Sequence, residues 1–399
     1  MNPWAGVKDL PRDMWVLFYT TLINRSGTMV IPFLVLYLTQ KIGVTASEAG
    51  TALLVYGIGA FISSPVTGKI ADKIGALRVM KFSLLATSAV IFIYGFITNY
   101  YLILAFSFIF AVMNEAYRPA NLSLISEIST PSQRRISIAL NRLGINIGMS
   151  IGPVIGGFII LLDYHFLFYV NAVASLAAGI YLVLTPWTSP VKNSISDTEK
   201  PSETKLKTSV LKDVNFLFFL LAITPVQLVF FQHIGGLPLY IVDDLKYSTA
   251  AFGLLSAINT VLVIIAEVPL NNMMSSTSYR RSMFIGAMFA AVGFGAMAVA
   301  RDTAPLILTI IVWTVGEMIF FPVTAAYASE IAPPSKRGEY MGYFQMTFSF
   351  AFSAGPWLGT VVYQNYGSVV LWSGALIMGL ITTILMLFVK EKNFATVNE

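Results

Sequence analysis

Six formally charged residues stand inside long apolar runs of this 399-residue chain: Arg25, Glu115, Arg118, Arg142, Glu267 and Glu317. An ionisable group deep in an apolar medium costs about 2.5–3.5 kcal/mol on insertion scales, so each is by default a functional candidate. Two chemistries are open to them. A carboxylate in an apolar cavity has its charged form disfavoured, which suits uptake of a proton near neutral pH and exchange for a cation. A buried guanidinium can orient an anionic substrate or tune a carboxylate. Glu115 and Arg118 are three apart and share a helical face, so an ion pair between them is the simpler reading. Glu267 and Glu317 have no basic residue inside a second-half apolar run to neutralise them. Glu317, Glu267 and Glu115 are therefore the candidate proton-coupling groups, although the nearby Pro269 offers Glu267 a local structural role. Arg142, near a helix end, can reach the interface as readily as a cavity. His233 titrates near neutral pH when unperturbed, although a lone His is more often a packing residue. With Arg25 and Arg118 it joins the candidate cavity residues. Aromatics such as Tyr37, Phe231 and Phe320 could line that cavity and hold a cation against their π faces.

The elements that position these groups follow from composition. The chain is 56% hydrophobic and 11% charged, with a mean hydropathy of +0.74. A soluble domain carries roughly 25% charged residues, so lipid has to be the solvent for much of this surface. The absence of Cys excludes disulfides and thiolate metal sites. Two His and no acidic cluster beside them argue against any metal site. Windows of about 20 apolar residues predict twelve helical spans. They lie near 15–38, 46–68, 79–98, 101–125, 136–162, 166–186, 213–242, 249–274, 282–300, 304–329, 339–363 and 367–389. The first is too long for a cleaved signal segment and reads as a retained span.

Nineteen of the 25 Lys and Arg residues fall in segments on the side of the N-terminus, whereas the opposite loops hold only Lys41, Lys246 and Arg301. The positive-inside rule then places both termini in the cytoplasm. One polar segment, 189–212, contains SISDTEKPSETKLK and reads as a flexible cytoplasmic linker between six-helix halves at 1–188 and 213–399. The halves repeat at an offset of about 203 positions: Leu36-Tyr37-Leu38 falls on Leu239-Tyr240-Ile241, Gly50 on Gly253, Ser126-Glu127-Ile128 on Ser329-Glu330-Ile331, and Gly152-Pro153 and Gly156 on Gly355-Pro356 and Gly359. Parallel repeats of this kind place a substrate site between halves that rock about it.

Two motifs carry a family resemblance. Gly68-Lys-Ile-Ala-Asp72-Lys73-Ile-Gly75-Ala-Leu-Arg78 resembles the loop between spans 2 and 3 of the major facilitator superfamily, with the base after Gly75 displaced to Arg78. Gly144-Ile-Asn-Ile-Gly148-Met-Ser-Ile-Gly152-Pro153-Val-Ile-Gly156-Gly157 resembles the glycine-rich span 5 motif of its drug:proton antiporter branch. The resemblance implies an all-α membrane fold of two pseudo-symmetric six-helix bundles. It implies a conformational latch at Gly68, Asp72, Lys73, Gly75 and Arg78. It also implies an antiporter motif at Gly148, Gly152, Pro153, Gly156 and Gly157, for which close packing of small residues is the plainer account. The span 10 stretch Gly316-Glu317-Met-Ile-Phe-Phe-Pro322 looks like that of multidrug/proton antiporters and implies a coupling role for Glu317.

These readings converge on a secondary active transporter working by alternating access. The expected activity is proton-coupled efflux, by antiport, of amphiphilic drug-like compounds, the kind of transport that underlies drug resistance. Proton-coupled transport of a specific, possibly anionic, metabolite is the alternative, to which the arginines of the first half are suited. An enzyme is not expected, because no nucleophile–base pair, phosphate-binding loop or catalytic cluster is present, and no catalytic residue is assigned. The expected partners are a small-molecule substrate, protons and the lipid bilayer, without nucleic acid. The proton gradient is the driving force in place of a cofactor. The resemblance further implies a monomer in a bacterial inner membrane.

Overall fold

The computed structural model describes residues 10–129, 133–188, 210–274, 276–333 and 337–390; the predicted linker lies almost wholly outside them. Every regular element among the described residues is helical: α1 (Arg12–Ser26), α2 (Val30–Leu36), α3 (Ala46–Ile74), α4 (Ala76–Tyr94), α5 (Tyr100–Glu115), α6 (Tyr117–Ile128), α7 (Arg134–Ile159), α8 (His165–Leu184), α9 (Val214–Phe230), α10 (Gly236–Leu239), α11 (Thr249–Met273), α12 (Tyr279–Ala296), α13 (Thr303–Ile331) and α14 (Arg337–Met386). Short π-helical turns follow α2 and α10.

Ten helical stretches among the described residues are long and apolar enough to cross a membrane. One of them, Tyr340–Met386, is two spans joined at Gly367, whose backbone (φ 82°, ψ 172°) is not helical. The 18-residue α12, with Arg280 and Arg281 in its first turn, completes the expected twelve. The outer surface fits a lipid solvent. Large apolar side chains such as Tyr101, Leu162, Leu221 and Val299 are more than two-thirds exposed, while Asn24, Asn121, Asn141 and Gln227 are buried. A water-soluble protein shows the reverse arrangement.

Local chemistry explains the helix limits. Thr45 opens α3 with a reciprocal capping box: its hydroxyl accepts from the Glu48 N–H while Glu48 accepts from the Thr45 N–H at 2.8 Å. Gly75 separates α3 from α4 at φ 93°, a conformation other residues rarely adopt. Proline interrupts the longer spans. A proline ring removes one N–H and crowds the carbonyl four residues earlier. Pro119 does this to Glu115, where α5 ends and α6 begins after a single turn residue, Ala116. Pro322 does it to Met318, whose freed carbonyl accepts Asn271 Nδ2 at 3.0 Å.

The chain divides into two compact units, Met1–Thr198 with Lys246–Thr260, and Glu199–Leu245 with Val261–Glu399. Helix α11 therefore begins in the first and ends in the second. Inside the first unit, α7 lies on α1, α3 on α5, and α4 on α8. Asp13 at the start of α1 is buried and accepts from the N–H and hydroxyl of Thr188, beyond the end of α8, at 3.2 and 3.1 Å. Inside the second unit, α12 packs on α13 and on α14, and α14 on α9.

The 203-residue repeat is visible in the helices themselves. Tyr37 and Tyr240 each begin a π-helical turn and are each fully buried. Gly152 faces the Thr28 carbonyl, and Gly355 faces the Cβ of Phe231, the residue 203 positions after Thr28. Small residues at these points let spans 5 and 11 lie directly on spans 1 and 7 of their own units.

Candidate functional site

In the first unit the charged residues of α1 and α5 meet a polar cluster. Glu115 Oε1 accepts from the Tyr56 hydroxyl at 3.1 Å and from Asn114 Nδ2 at 3.2 Å, and Asn114 Nδ2 also reaches the Tyr56 oxygen at 2.9 Å. Tyr56 is 2% exposed, so this triangle is closed to bulk solvent on its tyrosine side. Arg25 is half-buried on α1. It lies near enough to act electrostatically on both Tyr56 and Tyr117, and its Nε is buried without a hydrogen-bond partner among the described residues. Below it, Thr21 bonds the Tyr117 hydroxyl at 2.8 Å and Asn141 Oδ1 at 3.1 Å, and Asn121 Nδ2 donates to the same Asn141 oxygen at 2.8 Å. This network pins α1, α6 and α7 around Arg25.

The expected Glu115–Arg118 ion pair does not form. The i,i+3 relation needs an unbroken helix, and the chain is interrupted at Ala116, between the two residues. Glu115 turns to Tyr56 and Asn114 instead, and Arg118 is exposed. Arg142 is exposed as well. Tyr37 is fully enclosed by the rings of Phe168 (4.8 Å), Tyr164 (6.0 Å) and His165 (6.4 Å).

In the second unit Glu317 is half-buried on α13 beside a cavity of about 10 Å³. The other lining residues are Val226, Phe230, Ala290, Gly316, Phe320 and Phe321. That space suffices for about one water. Gly316 lets α13 approach α12 closely here, since a Cβ on it would lie 2.5 Å from Ala290 N. Phe320 is buried against Gly286 of α12. Phe230 joins this aromatic wall to the neighbouring groups: its ring lies 4.8 Å from those of Phe321 and His233 and 6.0 Å from Trp313. His233 Nδ1 is bonded to the Phe230 carbonyl at 2.7 Å. Phe231 points the other way, to Phe348 at 5.0 Å and Phe352 at 5.2 Å. Glu267 is half-buried on α11, and its carbonyl accepts Asn271 Nδ2 at 2.8 Å. Glu317, His233 and Phe320 thus share one neighbourhood through Phe230, and Phe231 lies at its edge.

Gly75 and the exposed Lys73 and Arg78 are placed at the α3–α4 junction, while the side-chain surroundings of Gly68 and Asp72 lie outside the described set. The span 5 glycines all serve close approach. A Cβ on Gly148 would meet Arg25 Cβ at 2.5 Å, one on Gly152 the Thr28 carbonyl at 2.9 Å, and one on Gly156 the Phe33 ring at 2.9 Å. At Gly157 the carbonyl accepts the Thr249 hydroxyl at 3.0 Å, and the Pro153 carbonyl lies against Gly253. Both partners are in the part of α11 that belongs to the first unit.

Sequence reading missed the hydrogen-bonding roles of Tyr56 and Asn114 and the Thr21–Tyr117–Asn141–Asn121 network. The available signal was Asn and Thr recurring within apolar runs, since an amide buried there has to find a partner.

A bundle of about twelve apolar helices in two units, with carboxylates and the Arg25 guanidinium held partly inside, defines a polytopic membrane transporter. The family model "Major Facilitator Superfamily" matches residues 16–251 and 233–398, and the chain belongs to that superfamily. Among its relatives is the uncharacterized MFS-type transporter YqjV of Bacillus subtilis (strain 168), 24% identical over 371 residues, covering 92% of this chain and 90% of that protein. The quinolone resistance protein NorA of Staphylococcus aureus (strain COL) is 24% identical over 360 residues, covering 88% and 89%. Among solved structures, a variant of the peptide transporter POT superposes with a TM-score of 0.81 at 17% identity over 95% of both chains. The nucleoside transporter NupG gives 0.78 at 15% identity over 95% and 98%. These two likenesses are of fold.

Proposed function

We propose that this chain is a proton-coupled exporter that exchanges protons for amphiphilic, drug-like compounds by alternating access, with Glu317 as the coupling carboxylate. The observation that carries the reading is the setting of Glu317: a carboxylate half-buried in span 10 among Val226, Ala290, Phe230, Phe320 and Phe321. Aromatic and aliphatic walls suit an amphiphilic substrate, and one acidic group among them selects for positive charge and offers a site for a proton. The likeness to a quinolone resistance protein over nearly the whole chain supports the same substrate class. Glu115 and Glu267 are secondary proton sites in this reading, and the bundles at 1–188 and 213–399 rock about the substrate on either side of the 189–212 linker. The protein works as a monomer in the inner membrane with both termini cytoplasmic.

A metabolite transporter is the second reading. It is favoured by the buried, unpartnered Nε of Arg25, which would suit an anionic group.

The test is reconstitution in liposomes with an acidic lumen and an internal pH dye, followed by addition of cationic, neutral and anionic compounds to wild type and Glu317→Gln. Cation-triggered proton efflux lost in the variant supports the proposal. Efflux unchanged in the variant removes Glu317 from coupling. Accumulation of an anionic compound with no response to cations, and sensitivity to Arg25→Gln, would replace the exporter reading with the metabolite one.

A further inference from the structure

Apart from the groups around Glu317, the second unit carries a cavity of about 440 Å³ where the start of α12 meets the end of α14. Arg280 and Arg281 line it, with Phe284 and Ile285 one turn further along α12 and Leu387 just past α14. The volume is that of a small-molecule site, and the lining is amphiphilic, two arginines together with aliphatic and aromatic side chains. Its place in the bundle sets the level at which it sits. Residue 280 opens a span and residue 387 closes one, so the guanidinium groups lie at a membrane boundary and the apolar wall continues toward the hydrocarbon. Leu387 is 51% exposed and the adjoining Phe388 is 70% exposed, as lipid-facing side chains are. Among the described residues the Arg281 guanidinium has no ion-pair or hydrogen-bond partner; only its backbone N–H is engaged, by the Ser278 hydroxyl that caps α12.

The ligand that matches all of these features has a phosphate diester joined to acyl chains. A planar guanidinium presents parallel N–H donors that suit two phosphate oxygens. A cationic drug would be repelled by the arginine pair. Free phosphate would satisfy the arginines and leave the wall of Phe284, Ile285 and Leu387 without a partner. We propose that this cavity binds the headgroup of an anionic membrane phospholipid, its phosphate on Arg280 and Arg281 and the first carbons of an acyl chain along Phe284, Ile285 and Leu387. Basic recesses between helices at a membrane boundary are suited to such headgroups, and each base near the surface strengthens binding by about fivefold.

The test uses full-length protein purified in neutral detergent and freed of native lipid. Dioleoylphosphatidylglycerol or dioleoylphosphatidylcholine is titrated in, and bound lipid is counted by native mass spectrometry alongside the thermal unfolding midpoint. The expected result is one phosphatidylglycerol held in preference to phosphatidylcholine, with a raised midpoint. That affinity should fall about fivefold in Arg281→Gln and about thirtyfold in R280Q/R281Q, and hold in K205Q/K207Q, which loses the same charge in the linker. Arg281 is exposed, so its single variant keeps the measurement available should the double variant misfold. Equal binding of the two lipids, retention of phosphatidylglycerol by Arg281→Gln, or an equal midpoint rise from inorganic phosphate alone would each overturn the proposal.

Discussion

Replacing Gly148 by Ala tests how closely span 5 is seated on Arg25. A Cβ at residue 148 would lie 2.5 Å from Arg25 Cβ, 2.8 Å from Ser26 N and 2.9 Å from the Arg25 carbonyl carbon. Ordinary contact begins near 3.4 Å. Three of three neighbours are backbone or Cβ atoms, which no rotamer change can move, so α1 and α7 have to part by about 1 Å at a densely packed contact. Overpacking of this kind costs about 1–3 kcal/mol. Against it stands the helix-propensity gain of Ala over Gly, about 1 kcal/mol. Gly374 supplies the control that isolates the two terms, since no heavy atom lies within 4 Å of a Cβ there. Gly374→Ala should raise the unfolding midpoint, and Gly148→Ala should fall below it by the full overpacking term of about 1–3 kcal/mol. Tryptophan fluorescence during thermal unfolding in one detergent gives both midpoints. In liposomes, Gly148→Ala should also slow transport, because Arg25 and the Thr21–Tyr117–Asn141 network beneath it are carried on the displaced helix. A midpoint for Gly148→Ala equal to or above that of Gly374→Ala would refute the close seating and the part it has in holding Arg25.

Three further outcomes are expected. Tyr56→Phe removes one hydrogen bond from Glu115 and one from Asn114, and should lower stability by about 1–2 kcal/mol in chemical unfolding, with a smaller loss in the Glu115→Gln background, where the bond to Asn114 is still removed but the one to a carboxylate is not. Gly75 sits at φ 93°, ψ 138°, so Gly75→Ala should cost about 1–3 kcal/mol, and Gly75→Asn should not recover it because this ψ lies outside the left-handed helical region that Asn tolerates; equal midpoints for Gly75→Ala and wild type would count against that backbone. At the loop before α8, the His165 backbone N–H, then the His165 ring and Lys41, hold the Asp163 carboxylate down at about 2 from its usual 3.8. A depressed folded-state value means the stabilisation is present above the usual value and is lost as pH falls toward the folded one. The midpoint difference between wild type and Asp163→Asn should therefore hold from pH 7 to about 4 and shrink between about 4 and 2.

The architecture was largely legible because lipid imposes a simple rule: a run of about 20 apolar residues has to be a helix. The spans read from residues 79–98 and 304–329 correspond to α4 and α13 with shifts of only a few residues at most ends. The repeat was legible to the residue, since an offset read from Leu36-Tyr37 and Gly152-Pro153 brings two π-helical turns and two glycine contacts into correspondence. The breaks inside spans were not. Nothing in an apolar count says that Pro119 ends α5 at Glu115 and so sends its carboxylate to Tyr56 rather than to Arg118.

The same cause limits what could be read of the candidate site. Hydropathy ranks a buried Asn as a defect, yet Asn114, Asn121, Asn141 and Asn271 are the residues that make the charged groups and freed carbonyls tolerable. Asn114, Asn121 and Asn271 donate to Glu115, to Asn141 and to the Met318 carbonyl that Pro322 leaves open, and Asn141 accepts from Thr21 as well. Each such amide joins segments far apart in the chain, Asn271 to Met318 across 47 residues and Thr21 to Asn141 across 120. Partners at that separation are fixed by how helices pack, which a local pattern does not carry. Intramembrane charge is therefore the part of the site that sequence announces, and the uncharged polar residues that hold it in place emerge only once the helices are assembled.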